Sequence, residues 1–239
     1  MKTFYSKPFA LLLALALFGI SNYVFGEDKY ETLEVSPGPF THVVFDGAYE
    51  VELVQGNQES VTIYAEKSDL NEIKTELDNG KLRLYTRNNV TLSKFKILLK
   101  FKTLESIEFN GGMKLRGKHD LKFVDLILKI NGGADLNLKL TADKLNLELS
   151  GGTNGDIKGS VNDLEISLNG AGRIVTDELT AKDVKVQING AGYASVFASN
   201  SIDAAIAGIG SIEYSGNPAK VKSNIMGLGA IKEKGGKKE

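Results

Sequence analysis

Few residues in this sequence are of a type and spacing that could do chemistry. There are two histidines, His42 and His119, three aspartates near glycine pairs, Asp135, Asp156 and Asp177, and an Arg–Tyr pair, Arg173 and Tyr193. A metal centre needs His, Cys or carboxylates at ligand spacing. His42 and His119 lie in different segments, cysteine is absent, and neither H-E-x-x-H nor an EF-hand loop occurs. Polysaccharide cleavage needs convergent carboxylates or a strong base. The three aspartates follow successive glycine pairs but share no single position. NGAGR and NGAGY do not form G-x-G-x-x-G between a strand and a helix, so they do not read as nucleotide loops. No catalytic residue, cofactor or metal is called for. What remains is recognition. Arg173 and Tyr193 occupy equivalent places in adjacent units and point outward by parity, and with Asp135 they are candidates for a small surface patch. Tryptophan is absent, but tyrosine can stack on a sugar.

The elements that position these residues are repeats. FNGGMKL starts at Phe109, INGGADL at Ile130, LSGGTNGD at Leu149, LNGAGRI at Leu168 and INGAGYA at Ile188. IAGIGSI at Ile206 and IMGLGAI at Ile225 are weaker copies. The steps between starts are 21, 19, 19, 20, 18 and 19 residues, the signature of a solenoid. Each glycine pair follows an apolar alternation such as Leu145-Leu147-Leu149 or Leu164-Ile166-Leu168. A period of two means strands with one buried face. The spacing predicts an all-β fold, a parallel β-solenoid (β-helix) with about 19 residues per coil. An antiparallel meander would not repeat one motif in phase.

Inward glycines are expected at the corners, where a missing Cβ permits a tight bend or close backbone approach. The corner set is Asn110-Gly111, Asn131-Gly132, Ser150-Gly151, Asn169-Gly170 and Asn189-Gly190, followed by Gly208 and Gly227. Stacked one strand apart, the Asn side chains could bond to one another. An outward column reads Ile127, Asn146, Glu165, Lys185, Asp203, Lys222, and its last four members alternate in sign. Opposite charges on neighbouring strands support pairing weakly. TADK at Thr141, VNDL at Val161, TAKD at Thr180, ASNS at Ala198 and GNPA at Gly216 read as polar turns.

The first half is β-rich but less regular. VVFDGAYEVELVQG from Val43 alternates like the later units, and VTIYAE from Val61 and KLRLYTRN from Lys81 are further strands. SDLNEIKTELDNG fits either a helix through Leu70, Ile73 and Leu77 or a strand IKTEL, and its DNG is a turn signal. In SKFKILLKFK, Phe95, Ile97, Leu99 and Phe101 alternate with Lys94, Lys96, Lys100 and Lys102. Those lysines could meet anionic lipid or glycan. Their simpler use is a solvated edge or outer face, where lysine discourages strand addition.

Lys2 and Lys7 precede the uncharged run FALLLALALFGI, and Val24 and Gly26 are small enough for peptidase pockets. Residues 1–26 therefore read as a secretory signal peptide. Residues 27–103 form the less regular portion, capping or continuing the solenoid. Residues 104–231 are the repeats, and 232–239 a charged, disordered tail. The expected location is the periplasm, the outer-membrane surface or the extracellular space. No later stretch is apolar enough to span a membrane as a helix. With 29 basic and 30 acidic residues, the chain lacks the basic stripe that nucleic acid needs.

FTHVVFDGAYEVELVQG, DNGKLRL from Asp78, LESIEFNGG from Leu104 and the NGAG units, in that order, resemble the bacterial family called the putative autotransporter adhesin head, or GIN, domain. The resemblance runs from Phe40 to Ile231. It implies a secreted or envelope protein of the kind common in Bacteroidetes, β-helical, with no established enzyme activity and no catalytic residues to carry over. The expected function is a non-enzymatic secreted or envelope-associated module for adhesion, surface interaction or scaffolding. The alternative is a polysaccharide-binding or polysaccharide-cleaving β-helix. Expected partners are a cell-surface glycan or an envelope protein, with a second copy meeting a solenoid end or edge.

Overall fold

The computed structural model describes residues 30–86 and 95–235. The signal-peptide assignment and Lys94 lie outside these residues. The described chain is almost entirely β: ten strands joined in one sheet system, with one short helix. The strands are β1 (Tyr30–Val35), β2 (His42–Gln55), β3 (Ser60–Glu66), β4 (Ile73–Asp78), β5 (Lys81–Thr86), β6 (Phe95–Phe101), β7 (Ser106–Gly117), β8 (Leu121–Lys122), β9 (Asp125–Ser215) and β10 (Lys220–Glu233). The helix α1 (Lys67–Leu70) is a single turn.

The long pairings are parallel and in register. β2 lies on β7 with Phe45 opposite Phe109 and Gly47 opposite Gly111. β7 lies on β9 with Phe109 opposite Ile130 and Gly111 opposite Gly132, 21 residues on. β10 lies on the end of β9 with Ile225 opposite Ile206 and Gly227 opposite Gly208, 19 residues on. Within β9 the same register continues. A Cβ added at Gly151 would fall 2.2 Å from the Gly132 carbonyl oxygen. One added at Gly170 would fall 2.3 Å from that of Gly151, and one at Gly190 2.2 Å from that of Gly170. Each inward glycine thus sits on the backbone of the glycine one unit earlier. All of these glycines have φ between +123° and +153°, which an L side chain seldom adopts.

Parity then decides what is buried. Leu128, Leu147, Ile166, Val186 and Ala204 share one position of the unit and are at most 1% exposed. Ile130, Leu149, Leu168, Ile188 and Ile206 share another and are equally closed off. Full burial of such a side chain stabilises by roughly 1.5–3 kcal/mol before conformational entropy is charged against it. The Phe45 and Phe109 rings stack 4.4 Å apart and 7° from parallel, joining β2 to β7.

The first half contributes antiparallel pairings. β3 pairs with β1 and β6, and β4 with β5. Both readings of SDLNEIKTELDNG hold in part, since α1 is one turn and the strand begins at Ile73. Asn79 and Gly80 take positive φ in the turn between β4 and β5. β6 is not an edge. It lies between β3 and β2, with Phe95, Ile97, Leu99 and Phe101 buried and Lys96 and Lys100 outside. The four polar segments that begin at Thr141, Val161, Thr180 and Ala198 are not turns in the usual sense. Their backbone stays extended inside β9, because each pairs with the layers beside it; at Gly216 the backbone does leave the strand. β10 extends through Lys232 and Glu233, and residues 236–239 lie outside the described chain.

Candidate functional site

Outward positions flank each inward glycine, and stacking turns each into a column. The column before the glycine starts at Asp46. Its carboxylate accepts from Arg83 Nε at 2.6 Å and from Asn110 Nδ2 at 2.8 Å. Asn131 Nδ2 donates to Asn110 Oδ1 at 2.8 Å, and Asn189 Nδ2 to Asn169 Oδ1 at 2.8 Å. Asn169 also donates to Ser167 at 3.2 Å. Ser150 stands in this column between Asn131 and Asn169. Asp46 was legible as part of a glycine-containing strand, but not as the head of this column. The signal was the F-D-G that matches F-N-G.

Three positions past the glycine, the register brings the surface-patch candidates into one column. Lys114 is opposite Asp135. Asn154 Nδ2 donates to Asp135 Oδ1 at 3.3 Å. Arg173 follows, its guanidinium 5.6 Å from the Tyr193 ring centroid. Tyr193 Oη donates to Glu213 Oε2 at 2.9 Å. Lys232 pairs with Glu213 at 3.0 Å, and Lys234 pairs with Asp177. Bonds from Lys232 and Tyr193 hold the Glu213 carboxyl below its ordinary range. The stripe offers a carboxylate, an amide, a guanidinium stacked on an aromatic face, and a rim of ion pairs. That is hydrogen-bonding and stacking chemistry, not bond cleavage.

The candidate catalytic residues do not converge among the described residues. Asp135, Asp156 and Asp177 fall in three different columns, and Asp177 is engaged by Lys234. His42 stands 3.9 Å from Glu105, a pairing its sequence neighbours did not signal, and His119 is exposed. Among the described residues no three His, Cys, Asp or Glu side chains are grouped to hold a metal ion. Burial pushes the Tyr49 phenol up, and its hydroxyl is used internally on the Asp46 carbonyl at 2.9 Å.

The order of strands, inward glycines and outward columns can be set against known proteins. The model of the family described as "Putative auto-transporter adhesin, head GIN domain" matches residues 39–218. The chain belongs to this family. No curated protein matches it. Among solved structures it is similar to a putative adhesin from Bacteroides fragilis, with a TM-score of 0.81 and 24% identity over 86% of this chain and 97% of that one. A putative adhesin from Parabacteroides distasonis gives 0.70 and 20%, covering 87% of this chain and 98% of that one. A protein from the same species described as a putative lipid binding protein gives 0.61 and 20% over the same shares. At these identities the likeness is one of fold. Among the described residues no helix is long and apolar enough to cross a membrane.

Proposed function

We propose that this GIN-domain chain is a non-catalytic exported module that binds at a cell or envelope surface, built as a parallel β-solenoid. The observation that carries the reading is the stripe Asp135–Asn154–Arg173–Tyr193. It presents recognition groups in register on a rigid backbone, with no convergent acid and base beside them. The corner glycines and their Asn partners serve as structure, holding the bend that keeps the stripe in line. Residues 27–103 act as the starting cap and residues 104–231 as the coils. The signal peptide over residues 1–26 directs export to the periplasm, the outer-membrane surface or the extracellular space. The Bacteroides and Parabacteroides relatives described as putative adhesins agree with this reading, and a cell-surface glycan or an envelope protein is the partner expected.

A second copy is expected at the open end of the stack. Ile209, Met226 and Leu228 are 62%, 66% and 71% exposed there, and large exposed apolar groups of this kind mark contacts. Sedimentation of the protein across a wide concentration range reads this directly, and a constant monomer mass removes it.

The surface-binding reading is tested with protein purified from the exporting cell, labelled, and titrated onto intact cells and isolated envelopes. Saturable binding without release of reducing ends from polysaccharide is expected. Polysaccharide cleavage would favour the carbohydrate-active alternative.

A further inference from the structure

A different set of columns, away from the stripe, builds a groove across the stack. Its volume is about 400 Å³, and Phe123, Asp143, Asn162 and Lys182 are among the residues that line it. Ala142, Val161 and Ala181 are nearly closed off and form a low apolar floor. Thr141, Ser160, Thr180 and Ser199 also line it, repeating at steps of 19, 20 and 19 residues, one hydroxyl per layer. Layers of a sheet are about 4.8 Å apart, an interval comparable with one hexose of an extended glycan.

Extending the surface-binding reading, on which it rests, we infer that this groove binds a neutral glycan chain laid across the layers. Thr180 Oγ1 donates to the Gly159 carbonyl at 3.2 Å and Ser199 Oγ to the Ala181 carbonyl at 3.1 Å, which leaves their lone pairs to accept. Thr141 and Ser160 donate to no group among the described residues. The floor admits the C–H face of a sugar ring. Phe123, half-buried and stacked 5.9 Å from Phe101, supplies an aromatic platform at one end. Asp143, which accepts from Asn162 Nδ2 at 3.0 Å, and Lys182 balance in charge, so the groove does not select a polyanion. A peptide that binds by strand addition needs a free strand edge. These walls belong to strands inside β9, whose edges face neighbouring layers.

The test uses exported protein and neutral hexasaccharides of β-glucan, mannan and xylan, set against polygalacturonate and heparin, with titration calorimetry as readout. Neutral hexasaccharide binding is expected. Thr141→Ala with Ser160→Ala weakens it by roughly thirtyfold, two lost bonds of about 1 kcal/mol each. Phe123→Leu weakens it similarly, and Lys81→Ala, exposed on β5 and outside both the groove and the stripe, leaves it unchanged. Unfolding midpoints monitor the fold, and the exposed hydroxyl variant stays informative if Phe123→Leu loosens the Phe101 contact. Glycan binding lost in Arg173→Ala but not in the groove variants overturns the groove and leaves surface binding standing. So does cell binding with no affinity for neutral glycans. Absence of binding to any cell or envelope overturns both.

Discussion

Gly133 and Gly170 illustrate two kinds of glycine within the repeated motif. A Cβ on Gly133 meets nothing within 4 Å, whereas one on Gly170 would enter the backbone of Gly151 from a φ of +153°. Gly170→Ala is therefore expected to destabilise the fold by roughly 3 kcal/mol, through strain and backbone overlap. Gly133→Ala should be near neutral. Urea unfolding of the two variants checks this, and equal midpoints would remove the proposed structural role of the inward glycines. The distinction was partly legible in the sequence. Parity placed Gly170 inward, but only the coordinates show how near the preceding backbone lies. Gly159 was missed because it stands outside the repeated motif. An added Cβ there would fall 1.9 Å from the Leu140 carbonyl oxygen.

Between elements, charged columns tie layer to layer. Lys185 meets Glu165 at 2.7 Å and Lys222 meets Asp203 at 2.7 Å, as the alternating column suggested. Such exposed pairs are individually weak, but they carry a pH signature. Lys232 and Tyr193 depress Glu213, and Ser201 and Asn200 depress Asp183. A carboxyl depressed in the folded state stabilises above its unfolded pKa, and that stabilisation is lost as pH falls through the folded one. The thermal midpoint should hold from neutral pH down to the ordinary carboxylate range and fall below it. Glu213→Gln should flatten part of that fall. A variant that loses stability with acid as steeply as wild type would contradict the assignment. The β9 and β10 layers were legible because period-two alternation and a fixed step act locally. The places of β3 and β6 were not. Their order depends on contacts between residues far apart in sequence, such as Ile63 with Ile97. Four of the five polar segments were misread as turns, because residue type alone does not reveal that their backbone is paired, whereas the one at Gly216 does leave the strand.

At the scale of the molecule, the two ends differ. Among the described residues, the first layers are covered by β5, β6, β3 and β1, whereas no strand pairs with the outer edge of β10. Lys220, Lys222 and Lys232 flank that edge, and lysine there opposes strand addition. Side-chain packing through Met226 and Leu228 is then the route by which another molecule would meet it.

The whole account rests on parallel stacking of like positions, and distances along one outward column test it most directly. The chain has no cysteine, so spin labels can be placed in pairs at Ile127 and each of Lys185, Asp203 and Lys222. Stacked layers predict separations that grow by about 4.8 Å from each position to the next, reaching about 24 Å at Lys222. Separations that fail to rise in that order would contradict the stack.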